Sequence, residues 1–301
     1  MQFIQQMING VTIGAFYSLV ALGYTMVYGV LKLINFAHGD LFMWGAYLGL
    51  TVINVLVGLM AQGSAFFIVP AVIIVMITIA LAGVLVERIA YRPLRTAGRL
   101  APVISALGVA FILQSLARNV YGASYKTYPT GITPRGGIVI AGGARISVMQ
   151  IIVLAVSFLM MGALYLFVQR TRIGTAMRAV SLNHDVSRLM GIDVNRIIAI
   201  VFLIGPGLGG VAGMIVALYY GSFDFTLGWT YGLKAFIAAI LGGIGNIPGA
   251  MLGGFLLGII ETLGAGYISP QWKDVIAYVI LILILIFRPT GILGERVAEK
   301  V

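Results

Sequence analysis

The 301-residue sequence predicts an all-α, polytopic membrane protein of about eight transmembrane helices, with broken or re-entrant segments and an inverted repeat as its candidate internal symmetry. Three observations carry this. Hydrophobic residues make up 60% of the chain and charged residues 9%, with a mean hydropathy of +1.06. A soluble domain carries about a quarter charged residues and cannot leave so much apolar surface in water. The apolar residues also fall in runs near the roughly 20 residues that cross a bilayer core, and forty glycines recur in patterns suited to closely packed membrane helices.

The first run lies within Met7 to Val30; the N-terminus ahead of it has no positively charged region, so it reads as a retained helix and not a cleaved signal peptide. A polar knot from Lys32 to Asp40 leads to a second run, Leu41 to Met60, and Gln62-Gly63-Ser64 reads as a tight turn. The third run is Ala65 to Val86. A connector with Arg88, Arg92, Arg95 and Arg99 precedes the fourth, Ala101 to Ala117. The long connector 118–147 holds tyrosines, two prolines and a Gly-Gly on either side of Ile138-Val139-Ile140, which suits a small β-hairpin. The fifth run is Val148 to Val168, followed by a polar segment at about 169–196 and a sixth run, Ile197 to Tyr220. A charge-poor loop around Trp229 leads to a glycine-broken stretch from Lys234 to Gly264, which makes nine helices if it divides in two. The last run is Val275 to Phe287. All of this reads as one membrane domain over residues 1–301.

The net charge of +10 resides in short connectors, the pattern of cytoplasmic loops and not of nucleic-acid binding. Placing the Lys32 knot, the 87–100 and 169–196 segments and the tail on the cytoplasmic side puts thirteen Lys and Arg there and six outside. The C-terminus is then cytoplasmic. The absence of cysteine excludes disulfides and thiol chemistry, and two histidines are too few for a metal centre. No cofactor is expected. No Gly-Lys pair exists for a phosphate loop, and neither His-Glu-x-x-His nor Gly-x-Ser-x-Gly occurs, so no catalytic set is legible.

Gly205, Gly209 and Gly213, like Gly245, Gly249 and Gly253, recur every four residues and read first as helix-packing ladders. The stretch Gly242-Gly243-Ile244-Gly245-Asn246-Ile247-Pro248-Gly249 is poorly suited to a continuous helix. It reads as a break lining a permeation route, the alternative being a turn between two short helices. The knot Asn35-Phe36-Ala37-His38-Gly39-Asp40 has a similar build, and Asn246-Ile247-Pro248-Gly249 is its candidate counterpart in the second half. Asp40 reads as a cap of the second helix in preference to a proton carrier. Glu261 is the one acid inside an apolar run; it is either a functional intramembrane group or an interfacial residue of a helix ending near Gly264. The segment Gly174-Thr175-Ala176-Met177-Arg178-Ala179-Val180, continuing to Gly191-Ile192, is an amphipathic connector or a docking surface for a cytoplasmic partner.

The knot from Leu33 to Asp40, the Gly174–Val180 and Leu189–Ile192 pieces, Ala238 to Ala250 and the closing Arg288-Pro289-Thr290-Gly291-Ile292-Leu293-Gly294 resemble, in order and across nearly the whole chain, the LivH-type permeases of bacterial branched-chain amino acid ABC transporters. The resemblance implies a bacterial inner-membrane transport subunit that is not itself an enzyme. It would pair with a second, LivM-type permease, two cytoplasmic ATP-binding subunits and a periplasmic substrate-binding protein that delivers Leu, Ile or Val. The 169–196 segment would dock on an ATPase, although it lacks the Glu-Ala-Ala start seen in other importers. Urea and short-amide permeases share nearly the same motifs. An ion-coupled secondary transporter is the reading of another class, and it needs Glu261 and Asp40 as ion carriers.

Overall fold

A computed structural model of the chain describes residues 2–60, 65–95, 97–98, 100–129, 131–134, 136–140 and 143–294. The expected turn at Gln62-Gly63-Ser64 and Arg99 lie outside the described residues. In chain order the elements are α1 (Gln2–Leu31), α2 (His38–Met60), α3 (Ile68–Val86), α4 (Leu100–Tyr121), β1 (Lys126–Thr127), β2 (Gly137–Val139), β3 (Arg145–Ser147), α5 (Val148–Arg170), α6 (Arg172–Leu182), α7 (His184–Leu189), α8 (Val194–Tyr220), β4 (Ser222–Phe223), α9 (Leu227–Gly242), α10 (Ile247–Tyr267) and α11 (Lys273–Phe287). Eight helical spans among the described residues are long and apolar enough to cross a membrane: α1 to α5, α8, α10, and α11 together with the 3-10 turn that precedes it (Pro270–Phe287, 18 residues). The ninth helix, α9, is apolar but only 16 residues long.

The core is built on two helices that are apolar all round, the signature of a buried position. Residues 12–27 of α1 and 205–218 of α8 are continuously buried. Around them the contacts repeat in an inverted sense. α1 lies against α10, with Gly10 and Gly14 facing Ile259 and Phe255; α8 lies against α3, with Gly207 and Gly210 facing Ala80 and Ile79. A methyl group on Gly14 would stand 2.7 Å from the Phe255 Cα, so only glycine permits this approach. α1 and α8 touch each other at Gly23 and Gly205. The ladder Gly205, Gly209 and Gly213 faces Gly23, His38 and Phe42, while Gly249 and Gly253 face Gly242 and Ala238. Both ladders are packing surfaces, although Gly245 lies in a turn and outside the helix.

The two ends of the bundle are distinct. At one end Gln5 of α1 exchanges hydrogen bonds with Arg145 (3.1 and 2.9 Å), beside the β2–β3 hairpin that pairs Ile138 with Ile146. That hairpin is the one expected from the glycine pairs. β1 and β4 form a second small antiparallel ribbon, tying the long connector to the α8–α9 loop. At the opposite end His184 meets the Val30 carbonyl at 2.8 Å, and Arg95 donates to Asn195 Oδ1 at 2.9 Å. α3 reaches that end through a π turn, Glu87–Tyr91, and a short 3-10 turn, Arg92–Leu94.

Two expectations change here. Trp229 is not in a loop: α9 begins at Leu227, because Asp224 caps the turn ahead of it. The stretch from Lys234 to Gly264 does divide in two at residues 243–246, which gives the ninth helix, but only the first part, α9, is short. α10 runs 21 residues to Tyr267, since its glycines are held by packing against α1 and α9.

Candidate functional site

The polar knot and the start of α9 meet at the centre of the bundle. The chain turns back after Leu31, so that α2 begins beside the middle of α1: His38 Nε2 meets the Val20 carbonyl at 3.2 Å, and the ring wedges between Gly23 and Gly209. α9 begins beside the same region from the other direction, with Tyr231 against Tyr17 of α1 at 5.8 Å between ring centroids. The two helix starts face each other, Gly39 against Gly228 and Gly232, and Phe42 stacks on Tyr231 at 5.4 Å.

The two starts are built alike. Six residues separate α1 from α2 and six separate α8 from α9. Asn35-Phe36-Ala37-His38-Gly39-Asp40-Leu41-Phe42 aligns with Asp224-Phe225-Thr226-Leu227-Gly228-Trp229-Thr230-Tyr231. Asn35 Oδ1 accepts from Ala37 N at 3.1 Å and Asn35 O from His38 N at 3.1 Å. Asp224 Oδ1 accepts from Thr226 N at 3.0 Å and Asp224 O from Leu227 N at 3.3 Å. Each is an Asx turn that launches a helix inside the bundle. The knot's counterpart is therefore 224–228, and not Asn246-Ile247-Pro248-Gly249. The signal was present in the sequence as Asx-Phe-x-x-Gly, but Asp224 lies far from any helix-breaking proline.

Asn35, His38, Gly39 and Asp40 are all buried, and each has a packing or bonding role. Asn35 Oδ1 also accepts from Tyr91 at 3.1 Å, and Tyr91 reaches the Ile34 carbonyl at 3.2 Å, which pins the knot to the π turn of α3. Asp40 lies in the first turn of α2, where the helix dipole favours a carboxylate, and accepts from Gln114 of α4 at 2.9 Å.

Gly242, Gly243, Gly245, Asn246, Pro248 and Gly249 gather elsewhere. They form the turn between α9 and α10 at the end where α1 finishes, with Gly245 next to Gly29. Asn246 caps α10 through Gly249 N (2.9 Å), and Pro248 occupies its first turn, where a missing N–H costs nothing. The closing Gly291-Ile292-Leu293-Gly294 straps this turn. Ile292 N and Leu293 N donate to the Leu241 and Gly242 carbonyls at 2.9 Å each, and Asn246 Nδ2 donates to Leu293 O at 2.8 Å. The strap satisfies carbonyls that the end of α9 leaves open.

Glu261 is fully buried within α10, well before the helix ends at Tyr267. Its Oε2 accepts from the Tyr17 hydroxyl at 2.7 Å, and its Oε1 lies 2.8 Å from Lys234 Nζ and 3.5 Å from Lys273 Nζ. Lys234 and Tyr17 were not legible as its partners, because they lie 27 and 244 positions away. Among the described residues no group of acids and histidines could hold a metal ion.

In the segment after α5, α6 and α7 pack across the end of the bundle. Gly174, Met177 and Val180 are buried, Ala176, Arg178 and Ala179 are half-buried, and Thr175 and Gly191 are exposed. Arg178 is engaged within the chain, donating to the Val168 carbonyl at the end of α5 and to Thr175 Oγ1. The side chains left open are Leu182, Val186, Leu189 and Met190, exposed by 85, 54, 87 and 77%. Sequence reasoning picked the motif's glycines and small residues and missed these exposed apolar side chains, which the packing of α6 and α7 leaves uncovered.

A multi-span bundle with two helices starting head to head at its centre defines a membrane-transport architecture. The chain matches the family described as branched-chain amino acid transport system, permease component, over residues 6–285, and it belongs to that family. It is 44% identical over 303 residues to the high-affinity branched-chain amino acid transport system permease protein BraD of Pseudomonas aeruginosa, covering 99% of this chain and 98% of BraD. It is 42% identical over 305 residues to the permease protein LivH of Escherichia coli, with the same coverage. A more distant relative, the probable branched-chain amino acid transport permease protein LivM of Methanocaldococcus jannaschii, is 29% identical over 198 residues, covering 59% of this chain and 54% of LivM. No solved structure matches the chain.

Proposed function

We propose that this chain is the LivH-type permease subunit of a bacterial inner-membrane ABC importer for Leu, Ile and Val. The carrying observation is the identity of 42 to 44% to BraD and LivH over essentially the full length of each chain. In this reading the whole chain is one permease domain, a LivM-type subunit supplies the second wall of the path, and a periplasmic binding protein delivers substrate. The solid packing of α1 and α8 supports a path along an outer face of the chain and not through its middle. Asn35, His38, Gly39 and Asp40 set the start of α2 beside that path, and Gly242 to Gly249 with the C-terminal strap hold the cytoplasmic end of α9.

ATP hydrolysis belongs to two partner subunits, consistent with the missing phosphate loop. The 169–196 segment docks on one of them through Leu182, Val186, Leu189 and Met190, an apolar face outside the spanning helices. Arg178 and the small residues from Gly174 to Val180 support that face from within. The C-terminus lies on the same, cytoplasmic side. An ion-coupled mechanism finds less support, since Glu261 is already matched by Lys234.

The test is uptake of radiolabelled leucine by the complete complex in proteoliposomes. Uptake requires ATP, and Leu189→Asp with Met190→Asp abolishes it while the purified subunit melts as before. Uptake that persists without ATP and follows an ion gradient would refute the assignment.

A further inference from the structure

The charges around Glu261 form an alternating set on three helices. Glu261 of α10 lies between Lys234 of α9 (2.8 Å) and Lys273 of α11 (3.5 Å), and Lys234 lies between Glu261 and Asp274 of α11 (2.8 Å). Glu261 is fully buried, Lys234 nearly so, and Asp274 is mostly exposed. Two acids and two lysines thus offer each inner charge two opposite partners. Removing one partner from a buried pair is strongly destabilising, because the other charge is left uncompensated. A bridge between two fixed helices needs only the first pair. The second pair matters if α9 moves.

We propose that the Lys234–Glu261 bridge is an exchangeable contact. As α9 shifts along α10, Glu261 passes to Lys273 while Lys234 stays with Asp274, and Tyr17 holds the other carboxylate oxygen throughout. Lys273 is then a positioning residue for the transport cycle, keeping the buried carboxylate paired in both arrangements. This rests on the transporter reading above, since the cycle supplies the movement. α9 is an apolar helix of only 16 residues, and it begins head-on against α2 inside the bundle.

Two measurements test this. In thermal melts of the purified full-length chain, Lys273→Met is nearly silent and Lys234→Met lowers the midpoint, because Lys273 takes over part of the pairing. The double variant then falls further than the two shifts added. In ATP-driven uptake by the complex, Lys273→Met lowers the maximal rate roughly five-fold or more with the half-saturating concentration unchanged, and Lys273→Arg restores it. Additive melting shifts, or an unchanged maximal rate in Lys273→Met, overturn the exchange. The melts need no transport, so they report on the shared pairing of Glu261 even if the chain does not import amino acids, and the uptake rates report on the exchange.

Discussion

At the scale of single residues, close approach decides more than chemistry. Glycine is used where backbones meet: a side chain on Gly254 would enter the Ser18 backbone, with N at 2.5 Å and Cα at 2.6 Å from its first carbon. Gly108 faces open space within 4 Å. Gly254→Val therefore costs about 1–3 kcal/mol by overpacking, whereas Gly108→Ala is neutral or slightly stabilising. Paired melts of the two variants in detergent check this, and equal behaviour would show that α1 and α10 are not packed as described. His38 obeys the same logic from the other side, filling the space that Gly23 and Gly209 leave. The sequence suggested His38 as a path residue, and the structure shows its ring buried between two glycines.

At the scale of elements, the two Asx turns explain why α2 and α9 begin where they do. Asn35 and Asp224 perform one task, each accepting the amide two residues on. Asp224→Asn should therefore melt like the parent, because Asn does the same work in the first repeat. Asp224→Ala should cost about 1 kcal/mol, as for loss of a helix-capping residue. Should Asp224→Asn prove as damaging as Asp224→Ala, the charge and not the turn is what matters. Asn35→Ala is expected to cost more, since Tyr91 also depends on that side chain. The 169–196 segment shows the complementary case: α6 is fastened by Gly174, Met177, Val180 and Arg178, and Leu182 is left exposed.

At the scale of the whole molecule, the inverted arrangement places the ends of the chain. α6, α7, the α9–α10 turn and the C-terminal strap share one end, and the 118–147 connector shares the other with the start of α1. The chain contains no cysteine, so single cysteines report sidedness without background. In intact cells with a permeable outer membrane, an impermeant maleimide should label Ser124→Cys and leave Thr175→Cys unlabelled. Labelling of Thr175→Cys alone would invert the topology and overturn the proposed cytoplasmic docking of the 169–196 segment.

Much of this is legible in the sequence. Hydropathy marks the eight spans because each must present apolar side chains to lipid, or to other helices, along its own length. Glycine and proline mark the interruptions because their backbone limits act at the residue itself. The motifs from Leu33 to Gly294 placed the chain in its family by their order alone. What the sequence could not decide was which parts meet. The break at 242–249 shares its composition with the knot at 35–40, yet the knot's true counterpart is 224–228, identified by two matching sets of hydrogen bonds and by a contact between Gly39 and Gly228. Glu261 stands alone in its helix, and only the folded chain brings Lys234, Tyr17 and Lys273 to it. Local pattern determines what each segment is, since propensity and transfer energy belong to the segment. Pairing across more than 200 residues belongs to the packed interior, where close approach and charge compensation select one arrangement.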